Sequence, residues 1–246
     1  MQLLQTALAA IYPPRCLACG GMVDSDFGLC GTCWGQTPFV GHTRCDMCSV
    51  PLPGQARGEV LHCDDCMRAP KPWAQGRAAL IYDGIARKMV LGFKHGDRQE
   101  IATPAAQWML NTCRDMLDET VLIAPVPLHW MRLAKRRYNQ SALLARALAD
   151  LAGCDWCPDL LVRTQYTPSL DGKSRDVRQG ILNDSIVVNK RRRHRIAGRP
   201  VLLVDDVLTT GATLGVCTEM CRAAGASRVC ISVLARAVKA PYIPLN

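Results

Sequence analysis

Apolar runs alternate with helical patterns along the last two thirds of the chain. Val201–Val204 and Val121–Val126 are almost wholly apolar, which is typical of strands buried on both faces of a parallel sheet. Helical periodicity lies between these strands, and glycine follows several of the predicted helices. The predicted strands are Arg77–Tyr82, Val121–Val126, Val201–Val204 and Arg228–Leu234, and the predicted helices are Gly84–Phe93, Arg98–Leu117, Ser141–Leu151 and a segment from Leu214 to a cap at Gly225. The pattern predicts an α/β fold, a mostly parallel sheet flanked by helices.

The first 70 residues have a different composition. They contain few large aliphatic side chains but hold eight of the fourteen cysteines. Pro70, Pro72 and Trp73 mark a linker after them. We therefore predict a small amino-terminal domain over residues 1–70, which includes a short helix at its start, and an α/β domain over residues 74–246.

The cysteines of the small domain form four Cys-x-x-Cys pairs: Cys16/Cys19, Cys30/Cys33, Cys45/Cys48 and Cys63/Cys66. Two such turns supply the four thiolates of a tetrahedral site, so the spacing predicts two structural zinc sites. Sequential pairing closes shorter loops than interleaved pairing and is favoured. Iron in the same geometry is the alternative metal, and His42 and His62 are alternative ligands. The other six cysteines are interpreted as core or helix residues.

Charge is spread unevenly along the chain, whose formal net charge is +9. Residues 1–75 carry five Lys/Arg against six Asp/Glu, whereas residues 76–246 carry twenty-five against fifteen. The second part therefore suits anionic ligands such as a pyrophosphate or nucleic acid. We expect no signal peptide, and no apolar run is long enough for a transmembrane helix. We therefore expect a cytoplasmic protein without membrane insertion. In that reducing compartment, paired cysteines more often bind metal than form disulfides.

The segment from Val201 to Leu214 carries the clearest chemistry. Two acids, Asp205 and Asp206, follow the predicted strand, and a small hydroxyl- and glycine-rich loop leads into the next helix. Backbone N–H groups at such a junction converge on an anion, and a loop of small residues lets a phosphate approach closely. The acids are placed to accept hydrogen bonds from two ribose hydroxyls or to reach a metal. These features predict a site for a phosphorylated sugar.

This segment resembles the phosphoribosyl pyrophosphate (PRPP) motif of the type I phosphoribosyltransferases and matches all thirteen of its core positions. The resemblance implies the type I phosphoribosyltransferase fold. It also implies that the loop holds the 5-phosphate and that the two acids hold the ribose 2- and 3-hydroxyls. The implied PRPP-binding residues are Asp205, Asp206, Thr209, Thr210, Gly211, Ala212 and Thr213.

Other motifs resemble the ComF (competence F/GntX) family, which also carries an amino-terminal double zinc ribbon. Val126-Pro127, followed by Arg136-Arg137-Tyr138-Asn139-Gln140, is similar to its Val-Pro and Arg-Gly-Phe-Asn-Gln motifs. Thr167-Pro-Ser is similar to part of its flexible loop. Four positions depart from the family pattern: Arg137 (usually Gly), Tyr138 (Phe), Leu170 (Gln) and Ile181 (Asn). Because cations match pyrophosphate oxygens, the candidate pyrophosphate ligands are Lys94, Arg136, Arg137, Arg175 and Arg178.

The resemblance implies a Mg²⁺-dependent, PRPP-binding protein that is associated with DNA uptake in natural transformation. One hypothesis is a phosphoribosyltransferase that transfers or senses the phosphoribosyl group, with an unknown acceptor. The other is a non-catalytic, PRPP-regulated module that binds single-stranded DNA and works with other DNA-uptake proteins. The basic run Lys190–Arg195 favours the second hypothesis, whereas an aromatic content of only 5% argues against it, because single-strand binding usually uses stacking platforms.

Overall fold

A computed structural model describes residues 13–24, 28–56, 58–128, 138–164 and 185–238 of the chain. These ranges contain seven strands, six α-helices and three 3₁₀-helices. The strands are β1 (Gly76–Ile81), β2 (Leu122–Pro125), β3 (Asp155–Trp156), β4 (Leu161–Arg163), β5 (Ile186–Val188), β6 (Pro200–Leu208) and β7 (Arg228–Arg236). The α-helices are α1 (Gly31–Gln36), α2 (Asp64–Arg68), α3 (Gly84–His95), α4 (Ala102–Cys113), α5 (Gln140–Ala152) and α6 (Ala212–Ala223), and the 3₁₀-helices are Gln99–Ile101, Arg114–Met116 and Lys190–Arg195.

Five strands form one parallel sheet in the order β1-β7-β6-β2-β3. The strands β4 and β5 form a separate antiparallel hairpin. Helices connect the parallel strands, since a parallel pair needs a crossover rather than a tight turn. The predicted α/β architecture is therefore confirmed.

Local sequence signals explain where the helices begin and end. The Asn139 side chain accepts a hydrogen bond from the Ser141 N–H and caps α5, while Gly153 ends that helix in the left-handed conformation (φ 67°). The single helix predicted from Arg98 to Leu117 is instead α4 with a 3₁₀ turn at each end. Short 3₁₀ segments are common at helix ends, where the last turn tightens.

The strand β6 is longer than the sequence predicted. It runs from Pro200 to Leu208 and so includes Asp205 and Asp206, which the sequence placed just after the strand. Pairing with β7 continues from Pro200↔Arg228 to Leu208↔Arg236. Two acids interrupt the apolar pattern, but the neighbouring nine-residue strand supplies backbone partners for the whole length. The acids therefore have a fixed backbone.

The sheet separates two hydrophobic clusters. Along β6, Leu202 and Val204 belong to the cluster that contains α3, α4 and α5, whereas Val201 and Leu203 belong to the cluster that contains α6. This alternation is expected for a strand that is covered on both faces. Five of the six cysteines outside the pairs are buried, and Cys154 is half-buried.

The cysteine-rich segment lies along the β1 edge of the sheet. Phe39 forms an antiparallel bridge with Leu80, the Val40 N–H donates to the Ala79 carbonyl (2.9 Å), and the Ile81 N–H donates to the Pro38 carbonyl (2.8 Å). A free strand edge exposes unpaired N–H and C=O groups, and this segment covers them.

A buried ion pair fixes the same segment to the sheet. The Arg77 guanidinium lies 3.0 Å from Asp46 and 2.8 Å from Asp115, and its side chain is only 5% exposed. Asp46 follows the buried Cys45, and Asp115 follows α4, so one arginine joins three parts of the fold. Removing either carboxylate would leave a buried charge with fewer partners, which is strongly destabilising.

No helix in the described ranges is both long enough and apolar enough to cross a membrane.

Candidate functional site

The predicted phosphate loop lies at the carboxyl ends of β6 and β2. After β6 ends at Leu208, residues 209–211 lead directly into α6, and Gly211 is the residue before that helix, with φ 82°. A left-handed backbone at this position favours glycine. The turn brings the amino end of α6, whose first N–H groups have no partner within the helix, to the edge of the sheet, where ligands of open α/β sheets bind. The Ala212 N–H donates to Thr210 Oγ1 (3.4 Å).

The two acids of β6 have different partners. Asp206 is 9% exposed, and its Oδ1 lies 3.2 Å from Lys94 Nζ. Asp205 Oδ1 accepts hydrogen bonds from Ser141 Oγ (2.8 Å) and from the Asp206 N–H (2.9 Å). Burial and, after it, the neighbouring Asp206 charge raise the pKa of Asp205 to about 7, although Ser141 and Lys94 act in the opposite direction. Asp206 therefore pairs with a cation, whereas Asp205 is held by hydrogen bonds.

These groups line a cleft of about 180 Å³, here called the front cleft. The end of α3 supplies Lys94, the start of α5 supplies Ser141, and β6 supplies both acids. The complete lining is Lys94, Val126, Pro127, Leu128, Asn139, Gln140, Ser141, Arg163, Asp205, Asp206 and Thr213. Three elements that are far apart in sequence thus bring polar groups to one place.

The front cleft includes two polar residues that the sequence did not predict, Ser141 and Arg163. Ser141 comes directly after the Asn139-Gln140 motif, in the first turn of α5. Its position next to that motif could have identified it as a candidate site residue. Arg163 is the last residue of the short strand β4, and nothing in the local sequence indicated that it would line the cleft.

The predicted site residues do not all line this cleft. Thr209 and Thr210 line a second cleft, of about 540 Å³, and Gly211 and Ala212 line a third with Thr210. Arg136, Arg137, Arg175 and Arg178 lie outside the described residues, as do Thr167-Pro-Ser, Leu170 and Ile181. Of the predicted pyrophosphate ligands, the structure therefore places Lys94 beside the acids.

Trp73 packs against the predicted phosphate loop at Gly211. Its side chain is 2% exposed, and its Nε1–H donates to the Met47 carbonyl at 2.7 Å. A Cβ atom on Gly211 would lie 2.6 Å from Trp73 Cη2. The loop thus leaves no room for a side chain at Gly211, for both conformational and steric reasons.

We expect Gly211→Ala to destabilise the protein by about 2–4 kcal/mol, because a left-handed alanine is strained and its methyl group would overlap the indole ring. Urea unfolding would measure the change. Gly215→Ala, in α6, is the matched control. Its Cβ would meet Pro72 Cγ at an ordinary 3.7 Å, so we expect a gain of roughly 0.5–1 kcal/mol. Equal stability of the two variants would contradict this account of the loop.

The eight paired cysteines form two groups, called the first cysteine cluster (Cys16, Cys19, Cys30 and Cys33) and the second cysteine cluster (Cys45, Cys48, Cys63 and Cys66). Within each group the four sulfur atoms lie within 4.8 Å of one another. Sulfur separations of 3.9 Å (Cys19–Cys30) and 3.6 Å (Cys48–Cys63) are close to the roughly 3.8 Å that tetrahedral Zn–S bonds require. The structure therefore brings the pairs together sequentially, in two groups that fit structural zinc.

The second cysteine cluster is the more deeply buried. Cys45 is 0% exposed, and a hydrogen bond from the Cys48 thiol, with backbone N–H groups, lowers the pKa of Cys45 to about 4 despite its burial. A thiolate is the form that binds metal. His42 and His62 are exposed and belong to neither group of candidate ligands found among the described residues.

The basic run Lys190–Arg195 forms a 3₁₀-helix near the start of β6, whereas the acids lie near the end of that strand. Arg192 pairs with Asp159 (2.9 Å) and Arg195 pairs with Asp155 (3.0 Å). Lys190, Arg191, Arg193 and His194 are exposed, and within the described part of the chain no carboxylate lies within salt-bridge distance of them. Only part of the run is therefore available to an external anion.

Comparison with known domain families agrees with this architecture. Residues 7–67 match the double zinc ribbon domain, and residues 139–242 match the phosphoribosyl transferase domain. The fold and the cysteine clusters thus define a phosphoribosyltransferase-domain protein with an amino-terminal double zinc ribbon, in which each cysteine cluster is a zinc-ribbon site that fits structural zinc.

Named relatives narrow the class to one family. Competence protein F of Haemophilus influenzae is 30% identical over 234 residues, which cover 91% of this chain and 97% of the relative. DNA utilization protein YhgH of Escherichia coli (strain K12) is 28% identical over 215 residues, 85% of this chain and 91% of the relative. The corresponding protein of Salmonella typhimurium is 28% identical over 217 residues, 86% and 92% of the two chains. The chain belongs to the ComF (competence protein F/GntX-like) family.

Proposed function

We propose that the protein binds PRPP in a Mg²⁺-dependent manner and transfers its phosphoribosyl group to a nitrogen acceptor. The observation that carries this proposal is the front cleft, which is lined by Asp205, by Asp206 at 3.2 Å from Lys94, and by Thr213 in the first turn of α6. Carboxylates, a cation and free backbone N–H groups are the three kinds of partner that ribose hydroxyls, pyrophosphate and a phosphate need.

Each part of PRPP would have a partner in this arrangement. The 5-phosphate would accept hydrogen bonds from N–H groups of residues 209–213, and the ribose hydroxyls would donate to Asp205 and Asp206. Pyrophosphate would lie near Lys94, with Arg163 on the wall of the same cleft. Arg136, Arg137, Arg175 and Arg178 remain candidate pyrophosphate ligands. The acids also fit Mg²⁺, which prefers carboxylate oxygens and which neutralises pyrophosphate charge when it is bound.

The proposed transfer needs no protein nucleophile. The anomeric carbon gains positive character as pyrophosphate leaves, so charge neutralisation around the leaving group and correct positioning can lower the barrier. Lys94 would stabilise the charge that develops on pyrophosphate. The fixed backbone of β6 would hold the two ribose contacts rigidly, which restricts the sugar to one orientation.

Isothermal titration with PRPP and Mg²⁺ tests the binding proposal. A pyrophosphate-release assay over nucleobases and amines then tests transfer. Binding at micromolar concentration that disappears without Mg²⁺ supports the proposal. A protein that does not bind PRPP in the presence of Mg²⁺ contradicts it.

We also propose the division of the chain at residues 70–74 into a zinc-ribbon domain (1–70) and a phosphoribosyltransferase domain (74–246). A cytoplasmic location fits two clusters of four cysteines, because such thiolates persist in a reducing compartment.

A second candidate function is the binding of single-stranded DNA, with PRPP as ligand or regulator and other DNA-uptake proteins as partners. Two observations favour it: the exposed cations Lys190, Arg191 and Arg193, and the names of relatives that are called competence and DNA utilization proteins. These cations lie away from the front cleft, so DNA and PRPP would not compete for the same residues.

We expect Arg191→Ala/Arg193→Ala to weaken single-stranded DNA binding and to flatten its salt dependence by about 1.4 in slope, roughly 0.7 for each lost phosphate contact. Arg192 is left in place because Asp159 already pairs with it. Fluorescence anisotropy over a range of salt concentrations would measure the slope. The control is Arg146→Ala, an exposed arginine on α5, for which no change is expected. An unchanged slope in the double variant would show that the basic run does not contact DNA.

A further inference from the structure

Lys94 enters the front cleft from the last turn of α3, within residues 92–96. Its Nζ lies 3.2 Å from Asp206 Oδ1, and its side chain is only 20% exposed. A lysine side chain is long and flexible, so holding its ammonium group in one place costs conformational entropy. That group is placed accurately only if the backbone of the helix end is itself held firmly. The contacts of this helix end therefore affect the side of the cleft that is proposed to hold pyrophosphate.

Two side chains from the start of α5 hold the helix end at the carbonyl of Phe93, the residue before Lys94. Tyr138 Oη donates to this carbonyl at 2.7 Å, and Gln140 Nε2 donates to it at 3.3 Å. The rings of Tyr138 and Phe93 also pack together, with centroids 6.1 Å apart. Carbonyls in the last turn of a helix lack partners within the helix, so these bonds stabilise its end. The hydroxyl is a feature of this chain, since the ComF pattern usually has phenylalanine at position 138.

Arg98 holds the same helix end from the side of the amino-terminal domain. A Cβ atom on Gly92 would lie 3.3 Å from Arg98 Cδ, and one on Gly96 would lie 3.4 Å from Arg98 Cγ. The arginine side chain thus packs against the two glycines that flank Lys94. Its Nη1 donates to the Leu17 carbonyl at 2.8 Å. Leu17 is 3% exposed and lies between two cysteines of the first cysteine cluster, so Arg98 ties the end of α3 to the first zinc ribbon.

These contacts act on the backbone of α3 and not on a ligand. Neither Tyr138 nor Arg98 is among the described residues that line the front cleft. Leu17 and Phe93 belong to the same hydrophobic cluster, so the ribbon and the helix end are also packed together. An effect of Tyr138 or Arg98 on pyrophosphate must therefore pass through the position of Lys94.

We propose that Tyr138 and Arg98 are positioning residues, which hold the end of α3 so that Lys94 meets the pyrophosphate of PRPP. This inference rests on the proposed function and adds two residues to it. Lys94 stabilises the charge that develops on pyrophosphate as it leaves, and that stabilisation depends on placement. Through Arg98, the first zinc ribbon contributes to the front cleft, although none of its described residues lines it.

A double-mutant cycle separates positioning from general stability, because residues that act through one group are not additive with its removal. Calorimetry with PRPP and Mg²⁺ is run on wild type, Tyr138→Phe, Arg98→Met and Lys94→Met, and on the two double variants that contain Lys94→Met. The matched controls are Tyr82→Phe, at a half-buried tyrosine packed against the same hydrophobic cluster, and Arg87→Met, at an exposed arginine of α3. Amide hydrogen exchange of the ligand-free proteins, which compares the last turn of α3 with α5, is the second readout.

We expect Tyr138→Phe and Arg98→Met each to weaken PRPP binding about 3- to 10-fold, as the loss of one hydrogen bond does. In the Lys94→Met background the same changes should alter affinity less than about 2-fold. Both variants should speed exchange in the last turn of α3 but not in α5. The two control variants should match wild type in affinity and exchange, and zinc content should be unchanged throughout.

A loss of affinity that is equally large with and without Lys94→Met overturns the inference, because it shows a structural role that does not pass through Lys94. Unchanged PRPP affinity in either single variant also overturns it, while the proposed PRPP binding stands. If Lys94→Met leaves no measurable binding, exchange decides, and an unchanged rate in the last turn of α3 counts against the inference. A wild-type protein that binds no PRPP overturns the proposed function, and the inference with it.

Discussion

Replacing Asp205 and Asp206 together by asparagine is expected to abolish the binding of PRPP with Mg²⁺ while the protein stays folded. Each charged hydrogen bond to a ribose hydroxyl contributes roughly 1.5–3 kcal/mol, so losing both should weaken binding about 10²- to 10⁴-fold. Asparagine has nearly the same shape, and its oxygen at position 205 can still accept from Ser141. Calorimetry on the double variant measures the loss.

The control variant for this experiment changes the net charge by the same amount, at two positions outside the proposed site. Asp150→Asn/Glu119→Gln removes two exposed acids, and no change in PRPP affinity is expected. If the Asp205→Asn/Asp206→Asn variant binds PRPP as tightly as the control, the two acids serve only the structure and the proposed site is wrong.

The single variant Asp205→Asn should also change how stability depends on pH. The folded pKa of Asp205 is about 7, well above the usual value, so the native protein holds this proton more tightly than the unfolded chain does. Stability is therefore retained below the unfolded pKa and falls as the pH rises towards 7. We expect Asp205→Asn to be more stable than wild type at pH 8, on the order of 1–3 kcal/mol, and nearly equal at pH 4.

Urea unfolding of wild type and Asp205→Asn at the two pH values tests this expectation. A residue whose removal stabilises the folded protein is typical of a site organised for a ligand rather than for folding. A variant that is less stable than wild type at pH 8 would show that the carboxylate has a structural role.

The second large effect concerns the zinc ribbons. We expect two equivalents of zinc in the wild-type protein and a severe loss of soluble protein in Cys16→Ser and in Cys45→Ser. Structural zinc contributes about 10–16 kcal/mol in small zinc domains, which is as large as the total stability of a typical domain. Both cysteines are almost fully buried, so a serine hydroxyl would also be left without its metal partner.

Cys45→Ser should damage the phosphate loop as well as the ribbon. Met47, between two ligands of the second cysteine cluster, accepts the hydrogen bond from Trp73, and Trp73 lies against Gly211. Any soluble Cys45→Ser protein is therefore expected to bind PRPP weakly. Cys154→Ser, outside both clusters, is the control and should keep two zinc equivalents. Elemental analysis without added metal decides the identity of the ion: iron, or no metal, would contradict the zinc prediction.

The sequence by itself determined the class of fold, the two cysteine clusters and the position of the small-residue loop that we propose to hold phosphate. These depend on local signals. Unbroken apolar runs predict buried parallel strands, a two-residue gap lets two thiolates face one metal, and a small-residue turn between strand and helix exposes N–H groups. The strand–acid–loop segment from Val201 to Leu214 could be recognised because all of its chemistry lies within fourteen consecutive residues.

Tertiary structure decided which residues, distant in sequence, lie together at the site. Ser141 reaches Asp205 over 64 positions, and Lys94 reaches Asp206 over more than a hundred, so neither partner could be assigned from its neighbours in sequence. The extension of β6 through the acids required the backbone of β7. The arginines of the basic run looked alike in sequence, yet distant acids neutralise Arg192 and Arg195 and leave Arg191 and Arg193 exposed.

The role of the second cysteine cluster beside the phosphate loop also depended on tertiary structure. The sequence showed a metal site and a ligand loop separated by more than a hundred residues, with no signal that they are neighbours. Packing along the β1 edge brings Met47 to Trp73 and Trp73 to Gly211. Local patterns specify helices and strands because these elements depend on short-range geometry. The shape of a cleft instead depends on which surfaces, distant in sequence, pack together and exclude water.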